Sequence, residues 1–98
     1  MMDEAPRHAM DGRIETSLRE AFDPARLEVI NESHLHAGHG GDDGSGASHY
    51  RVRIRADAFA GKSRVETHRM VNRALADELR TVHALAIDAK APDGSDVQ

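Results

Sequence analysis

The segment YRVRIR (residues 50–55) alternates strictly between apolar and basic side chains. Successive side chains of a strand point to opposite faces, so its apolar residues lie on one face and its three arginines on the other. This pattern is typical of a strand with one buried and one solvated face. We take residues 50–55 as the strand around which the neighbouring elements are arranged.

The segment before this strand forms its hairpin partner. LEVIN (residues 27–31) is short and rich in β-branched residues, which predicts a second strand. The stretch between the two strands is much longer than the two to five residues of a simple reversal. We therefore expect a long hairpin loop, which is either disordered or functional.

Two helices and a third strand complete the pattern. Apolar residues recur at helical spacing over residues 12–22, and Pro24 closes that segment. Ser63 followed by Glu66 predicts a capping box that opens a second helix running to about residue 80. HALAIDA (residues 83–89) is interpreted as the third strand.

The order α-β-β-α-β predicts an α+β fold. A long helix between the second and third strands favours a parallel crossover, which gives a three-stranded mixed sheet with helices on one face. We expect one domain over residues 12–91, with disordered tails at residues 1–11 and 92–98.

Composition excludes several classes of protein. The 98 residues include no cysteine, which excludes disulfides, a thiol nucleophile and a self-sufficient cysteine-ligated metal site. A formal charge of -4 argues against electrostatic binding of nucleic acid by the surface of the chain as a whole. Apolar runs of signal-peptide or membrane-spanning length are absent, so we expect a soluble, cytoplasmic protein with no membrane partner.

Catalytic motifs are absent as well. The sequence has no nucleophile with a matched base, no phosphate-binding glycine loop before a helix, and no HExxH zinc motif. We therefore predict that the chain is not an enzyme.

The stretch HLHAGHGGDDGSGASHY (residues 34–50) carries four of the seven histidines. Imidazole suits iron, zinc, copper and nickel, so metal capture is chemically reasonable. Segments rich in glycine and serine are also often mere flexible connectors. Both interpretations, and a loop that binds zinc, nickel or copper alone, remain open on composition.

Five short segments together resemble the BolA family over about residues 12–91. They are NESH (31–34), FAG (59–61), HRMVN (68–72), ADEL (76–79) and HALAI (83–87). The resemblance implies a fold like the type II KH domain and a partnership with monothiol glutaredoxins. It implies a two-iron two-sulfur cluster shared with the glutaredoxin and its glutathione, none in the isolated chain, and a role in iron–sulfur trafficking or iron regulation.

The resemblance also assigns the cluster ligands. The family's C-terminal histidine falls on His83, and the hairpin-loop ligand falls on His36. The loop looks several residues longer than in other members, so His34, His39 and His49 are alternatives for the second ligand. His68, on the second helix, is expected to have no metal role.

A second hypothesis follows from family members described as transcriptional regulators. It is a DNA-binding role for a basic helix face, although Thr67 replaces a basic residue common in the family and the GxxG loop of ordinary KH domains is absent. The candidate contact residues are Lys62, Arg64, Arg69, Asn72 and Arg73. Alone, the chain is expected to be a monomer or a weak homodimer.

Overall fold

The computed structural model describes residues 9–33 and 48–93. The elements, in chain order, are α1 (Ala9–Phe22), β1 (Arg26–Asn31), β2 (His49–Arg55), α2 (Arg64–Ala74) and β3 (Ala84–Lys90). Short 3-10 turns occupy Asp57–Phe59 and Glu78–Arg80. The predicted order α-β-β-α-β is confirmed.

The sheet has the strand order β1-β2-β3, with β2 in the centre. β1 pairs with β2 antiparallel, and Val29 lies opposite Val52. β2 pairs with β3 parallel, and Val52 lies beside Ile87. The mixed sheet predicted from the long helical connection is therefore confirmed.

Both helices pack on the apolar face of the sheet, with α1 against β1 and α2 against β3. The main buried side chains of this layer are Met10, Ile14, Leu18, Tyr50, Val52, Ile54, Phe59, Val71 and Leu75. The alternation in residues 50–55 thus places one side of β2 in the core. Burial of these apolar surfaces supplies the main favourable contribution to folding.

The opposite face of β2 carries its arginines, and each pairs with a carboxylate of a neighbouring segment. Arg51 pairs with Glu32 at 2.9 Å, Arg53 with Glu28 at 3.3 Å, and Arg55 with Asp88 at 3.2 Å. The charge on this face is therefore largely balanced within the sheet.

The first helix begins at Ala9, three residues before the predicted start. The expected tail boundary at residue 11 is therefore wrong, because Met10 is buried in the core and Asp11 is buried beside Tyr50. The rest of the expected N-terminal tail, and residues 94–98 of the C-terminal one, lie outside the described residues.

The second helix ends at Ala74 and does not continue to residue 80 as predicted. A 3-10 turn then buries Glu78, whose carboxylate accepts a hydrogen bond from the Ser17 hydroxyl at 3.2 Å and pairs with Arg13 at 3.7 Å. These contacts with α1 account for the change of chain direction. Val65, in the first turn of α2, is 57% exposed.

The predicted capping box at the start of α2 is confirmed. The Ser63 hydroxyl accepts from the Glu66 N–H at 3.2 Å, and the Glu66 carboxylate accepts from the Ser63 N–H at 2.8 Å. This bond from the Ser63 backbone is the main reason that the pKa of Glu66 lies below its ordinary value. The start of α2 is thus fixed by its own sequence.

The FAG segment makes the turn between β2 and α2. Phe59 is buried and packs on Phe22 of α1, with ring centroids 4.9 Å apart. Gly61 has a φ of 77°, a left-handed conformation that glycine adopts without steric cost. This turn sends the chain back across the sheet toward β3.

Candidate metal-ligand site and basic helix surface

The base of the hairpin is closed by a serine from each side. The Ser33 hydroxyl accepts from the Ser48 N–H at 2.8 Å and from the His49 N–H at 3.1 Å. The Glu32 N–H donates to the His49 carbonyl at 2.8 Å. These bonds hold together the two residues that flank residues 34–47.

A cluster of hydrogen-bonded polar side chains connects the hairpin base to the rest of the domain. The Asn31 side chain accepts from the Ser33 N–H at 2.9 Å and donates to Asp11 and to the Tyr50 oxygen, both at 3.2 Å. The Tyr50 hydroxyl donates to the same Asp11 oxygen at 2.5 Å. The asparagine and serine of the NES segment therefore orient the hairpin base and link it to α1.

His83 is held at the same corner by its backbone. The N–H groups of His83 and Ala84 both donate to the Ser48 carbonyl, at 2.8 and 3.1 Å. The side chain of His83 is exposed, whereas its backbone is tied to the residue at which the hairpin resumes. His83 is therefore anchored on the last strand and still accessible to a second molecule.

His49 lies beside His83. Their ring centroids are 6.4 Å apart, with an angle of 22° between the ring planes. The His49 Nδ1 atom is 2.9 Å from the Ser48 hydroxyl oxygen, a hydrogen bond that orients this half-buried ring. The parallel pairing of β2 and β3 thus brings two imidazoles together from distant parts of the sequence.

Of the remaining histidines, only His68, which was expected to have no metal role, lies within the described residues. His34, His36 and His39 lie outside the described residues. His68 lies on α2 and lines a separate groove with Arg64 and the end of β3. Within residues 9–33 and 48–93, no group of three or more histidine, aspartate or glutamate side chains is arranged to hold a metal ion.

The two imidazoles at this corner can supply some, but not all, of the ligands of a metal centre. Two side-by-side imidazoles can offer nitrogen ligands to a metal when neutral, and the remaining ligands must come from elsewhere. A site that is exposed on one side suits a metal centre completed by another molecule.

The predicted contact residues are all exposed, and all but Lys62, which precedes the helix, lie on α2: Lys62, Arg64, Arg69, Asn72 and Arg73. Arg69 and Arg73 are one helical turn apart, as are Arg64 and His68, so these pairs occupy different sides of the helix. Val71 is fully buried, as expected for the HRMVN segment. The basic residues of α2 therefore form two separate surfaces, and the surface that carries Arg64 adjoins β3.

Comparison with known proteins agrees with this arrangement of elements. A family model described as BolA-like protein matches residues 18–94. The chain belongs to the BolA family. Among its BolA relatives, the DNA-binding transcriptional regulator BolA of Escherichia coli (strain K12) is 45% identical over 76% of the chain and 69% of the relative.

Two further matches extend the comparison. An uncharacterized protein in the cobS 5' region of Sinorhizobium sp is 59% identical over 81% of the chain and 87% of the relative. The solved BolA domain of SufE1 from Arabidopsis thaliana is 40% identical, with a TM-score of 0.81, over 92% of the chain and 100% of that domain. The BolA fold is thus shown by sequence and structure together.

Membership of the BolA family also bears on activity. The Escherichia coli relative is named as a regulator and a human relative as BolA-like protein 1, and these names agree with the prediction that the chain is not an enzyme. No helix within the described residues has the length and apolar character needed to cross a membrane.

Sequence reasoning overlooked the polar support of this BolA site. Ser33, Ser48 and Asp11 were not singled out, although all three are buried. The available signal was the position of serine on both sides of the histidine-rich stretch, where small hydrogen-bonding residues commonly close turns.

Proposed function

We propose that this BolA-family chain is a partner of a monothiol glutaredoxin and shares a two-iron two-sulfur cluster with it, in iron–sulfur trafficking or iron regulation. The observation that carries the proposal is the exposed His83 ring. It is anchored through the Ser48 carbonyl and lies beside His49 at the base of the histidine-rich hairpin.

The donor set fits a shared centre. Iron–sulfur clusters are held mainly by thiolates, and histidine replaces some of them in known centres. This chain has no cysteine, so it supplies imidazole and relies on the glutaredoxin cysteine and its glutathione for sulfur. Because such thiolates are kept reduced in the cytosol, we propose the cytoplasm as the place of this exchange.

Two residues compete for the role of second ligand. His36 is three residues from Ser33, and three peptide units span at most about 11 Å, so chain length permits it to reach this corner. His49 is already beside His83, although its Nδ1 atom is engaged by Ser48. We retain His36 as the proposed ligand, with His34, His39 and His49 as the alternatives.

Histidine ligation has two chemical consequences. Replacing thiolate by imidazole raises the reduction potential of a cluster. Imidazole is also protonated near pH 6.5, and a protonated nitrogen cannot bind metal. We therefore expect mild acid to weaken the hold of this chain on the shared cluster.

The test is to mix the purified chain with cluster-loaded monothiol glutaredoxin. We expect the visible absorption and circular dichroism of the cluster to change, and pulsed electron paramagnetic resonance of the reduced cluster to show nitrogen couplings. His83→Ala should remove one nitrogen ligand. His68→Ala is the matched control, because His68 is a half-buried histidine on α2 that lines a separate groove.

The second ligand is identified in the same series. Loss of a further nitrogen coupling in His36→Ala, with His49→Ala unchanged, supports the proposed pair, and the reverse result assigns His49. Spectra that are identical for His83→Ala and the unsubstituted protein, in a variant with normal far-ultraviolet circular dichroism, would contradict the proposal.

A DNA-binding role is the second candidate. It is supported by the name of the Escherichia coli relative and by the exposed α2 residues. The four cations among them form no ion pair with any other described residue, although the charges of Lys62 and Arg69 help to lower the pKa of Glu66. Cations without a close carboxylate partner are available to phosphate oxygens.

This role predicts binding to duplex DNA that weakens steeply with salt. Arg69→Ala should lower the slope of log affinity against log salt by about one. Arg19→Ala, which removes an arginine paired with Glu15 on α1, should leave the slope unchanged. Absence of binding at low salt excludes the role.

A further inference from the structure

The outer edge of β3 presents unpaired backbone groups. The Ala84 N–H donates to the Ser48 carbonyl, and the Lys90 carbonyl accepts from the Ala56 N–H, so both residues point their backbone toward β2. Backbone groups alternate in direction along a strand. Three residues of β3 therefore point their N–H and C=O groups away from β2: Leu85, Ile87 and Ala89.

This edge has only part of the usual protection. Proteins commonly block edge strands with charged side chains, proline, bulges, very short strands or a covering segment, and of these β3 carries two charged residues, Asp88 and Lys90. β3 has seven residues without proline, and its register with β2 is continuous from Ala84 to Lys90. In the described part of the chain, the backbone groups of Leu85, Ile87 and Ala89 have no hydrogen-bond partner on the outer side.

A basic groove runs beside the same edge. Its volume is about 350 Å³, and its lining combines the second half of β3 with three residues from other elements: Arg51, Arg64 and His68. Asp88, the one acid in this lining, is paired with Arg55. Within the residues described, the side chains of Arg64 and His68 form no hydrogen bond or ion pair. Arg51 is itself paired with Glu32, so Arg64 carries the positive charge that the groove offers to a ligand.

We propose that the outer edge of β3 docks an extended acidic segment of a partner protein as a fourth strand of the sheet. The backbone groups of Leu85, Ile87 and Ala89 supply the main-chain hydrogen bonds, as in other strand additions. Carboxylates of the incoming segment meet Arg64 and the neighbouring cations of the groove. The inference does not depend on the shared cluster.

The charges also favour an acidic segment over two other possible occupants of this edge, a second copy of the chain and nucleic acid. The β3 edge of a second copy would offer no available carboxylate to Arg64, because Asp88, the only acid of that strand, is paired with Arg55. Nucleic acid would satisfy Arg64 through its phosphates but would leave the Ile87 and Ala89 backbone unpaired. An acidic peptide satisfies both the charge and the strand edge.

The test uses a capped peptide of about six residues, the usual length of a strand, with alternating glutamate and threonine. We expect it to shift the amide resonances of Leu85, Ile87 and Ala89 saturably in nitrogen–proton spectra of the isolated full chain. The peptide should also slow hydrogen exchange at the Ile87 and Ala89 amides, because these N–H groups become bonded.

Two control peptides separate the parts of the interaction. A peptide methylated on its sheet-facing amide nitrogens keeps the charge but loses the main-chain bonds, so it should not bind. A lysine-for-glutamate peptide keeps the main-chain bonds but repels the groove, so it should bind more weakly. Equal binding of the methylated and unmethylated peptides would refute strand addition.

Protein variants give the matched comparison. Arg64→Ala should lower the affinity for the acidic peptide by about twofold to fivefold, the range for one exposed ion pair. Arg69→Ala, on the other side of α2, should leave this affinity unchanged. The proposal would be overturned if the peptide caused no shifts at β3. It would also be overturned, in favour of a second copy as the occupant, if these amides shifted with protein concentration alone. Duplex DNA that protects these amides where the peptide does not would overturn it in favour of nucleic acid.

Discussion

The imidazole rings of His49 and His83 lie side by side, with centroids 6.4 Å apart and planes 22° from parallel. One ring is on the first residue of the central strand, and the other immediately precedes the last strand. The Ser48 carbonyl accepts the backbone N–H of His83 and so sets their spacing. The candidate site is therefore a product of strand register.

Ser33→Ala should loosen this corner. The Ser33 hydroxyl is the acceptor for the buried Ser48 N–H, and an unpaired buried donor costs about 1 to 3 kcal/mol. We expect the free energy of unfolding to fall by that amount in urea titrations. Thr16→Ala, at an exposed threonine on α1, should change it by less than about 0.5 kcal/mol. Equal effects of the two variants would show that the hairpin base is not held by this hydroxyl.

Tyr50→Phe should destabilise the chain through its link to α1. The Tyr50 hydroxyl donates to buried Asp11, and its loss removes one of the donors to that carboxylate. We expect a decrease of about 1 to 3 kcal/mol in the free energy of unfolding. A double-mutant cycle with Asp11→Ala, which removes the acceptor oxygen, checks the pair, and additive effects within about 0.5 kcal/mol would contradict a direct coupling.

Two valines of α2 give a matched test of the core. Val71 is fully buried, whereas Val65 is 57% exposed. Val71→Ala removes two buried methyl groups and should lower the free energy of unfolding by about 2 kcal/mol. Val65→Ala should change it by less than about 0.5 kcal/mol. Similar losses in both variants would place Val65 in a buried interface.

The capping box should open in acid. Hydrogen bonds from the Ser63 backbone and then its side chain lower the pKa of Glu66 below its ordinary value of 4.5. A lowered folded-state pKa means that the contribution is present above the ordinary value and is lost as pH falls through the lowered one. We expect the protection of amides in the first turn of α2, measured relative to their intrinsic exchange rates at each pH, to fall over that range.

Carbon-13 titration of the Glu66 carboxyl measures this change directly. Glu66→Gln retains an oxygen acceptor but cannot titrate, so the protection of the Ser63 amide relative to its intrinsic exchange rate should no longer change over this pH range. A midpoint at or above the ordinary carboxyl value would contradict the assignment.

Local sequence patterns were sufficient to predict β2 and the start of α2. The alternation at residues 50–55 predicted β2, and Ser63 with Glu66 predicted the start of α2. Each signal is contained within a few neighbouring residues, because strand alternation and capping are short-range effects.

Long-range contacts decided what local patterns could not. The start of α1 depends on Asp11 meeting Tyr50, and the end of α2 coincides with Glu78 turning toward Ser17 and Arg13. The meeting of His49 and His83 depends on the parallel register of β2 and β3. None of these partners lies within one helical turn or one hairpin of the other.

The parallel pairing of β2 and β3 also controls when the two imidazoles can act together. β3 reaches β2 only after residues 56–83 have crossed the sheet, and closing such a long loop is a slow step with a high entropic cost. A nascent or truncated chain that stops before residue 84 cannot form the pairing that holds these rings side by side. The side-by-side placement of the two rings is therefore a property of the folded domain and of no shorter piece of it.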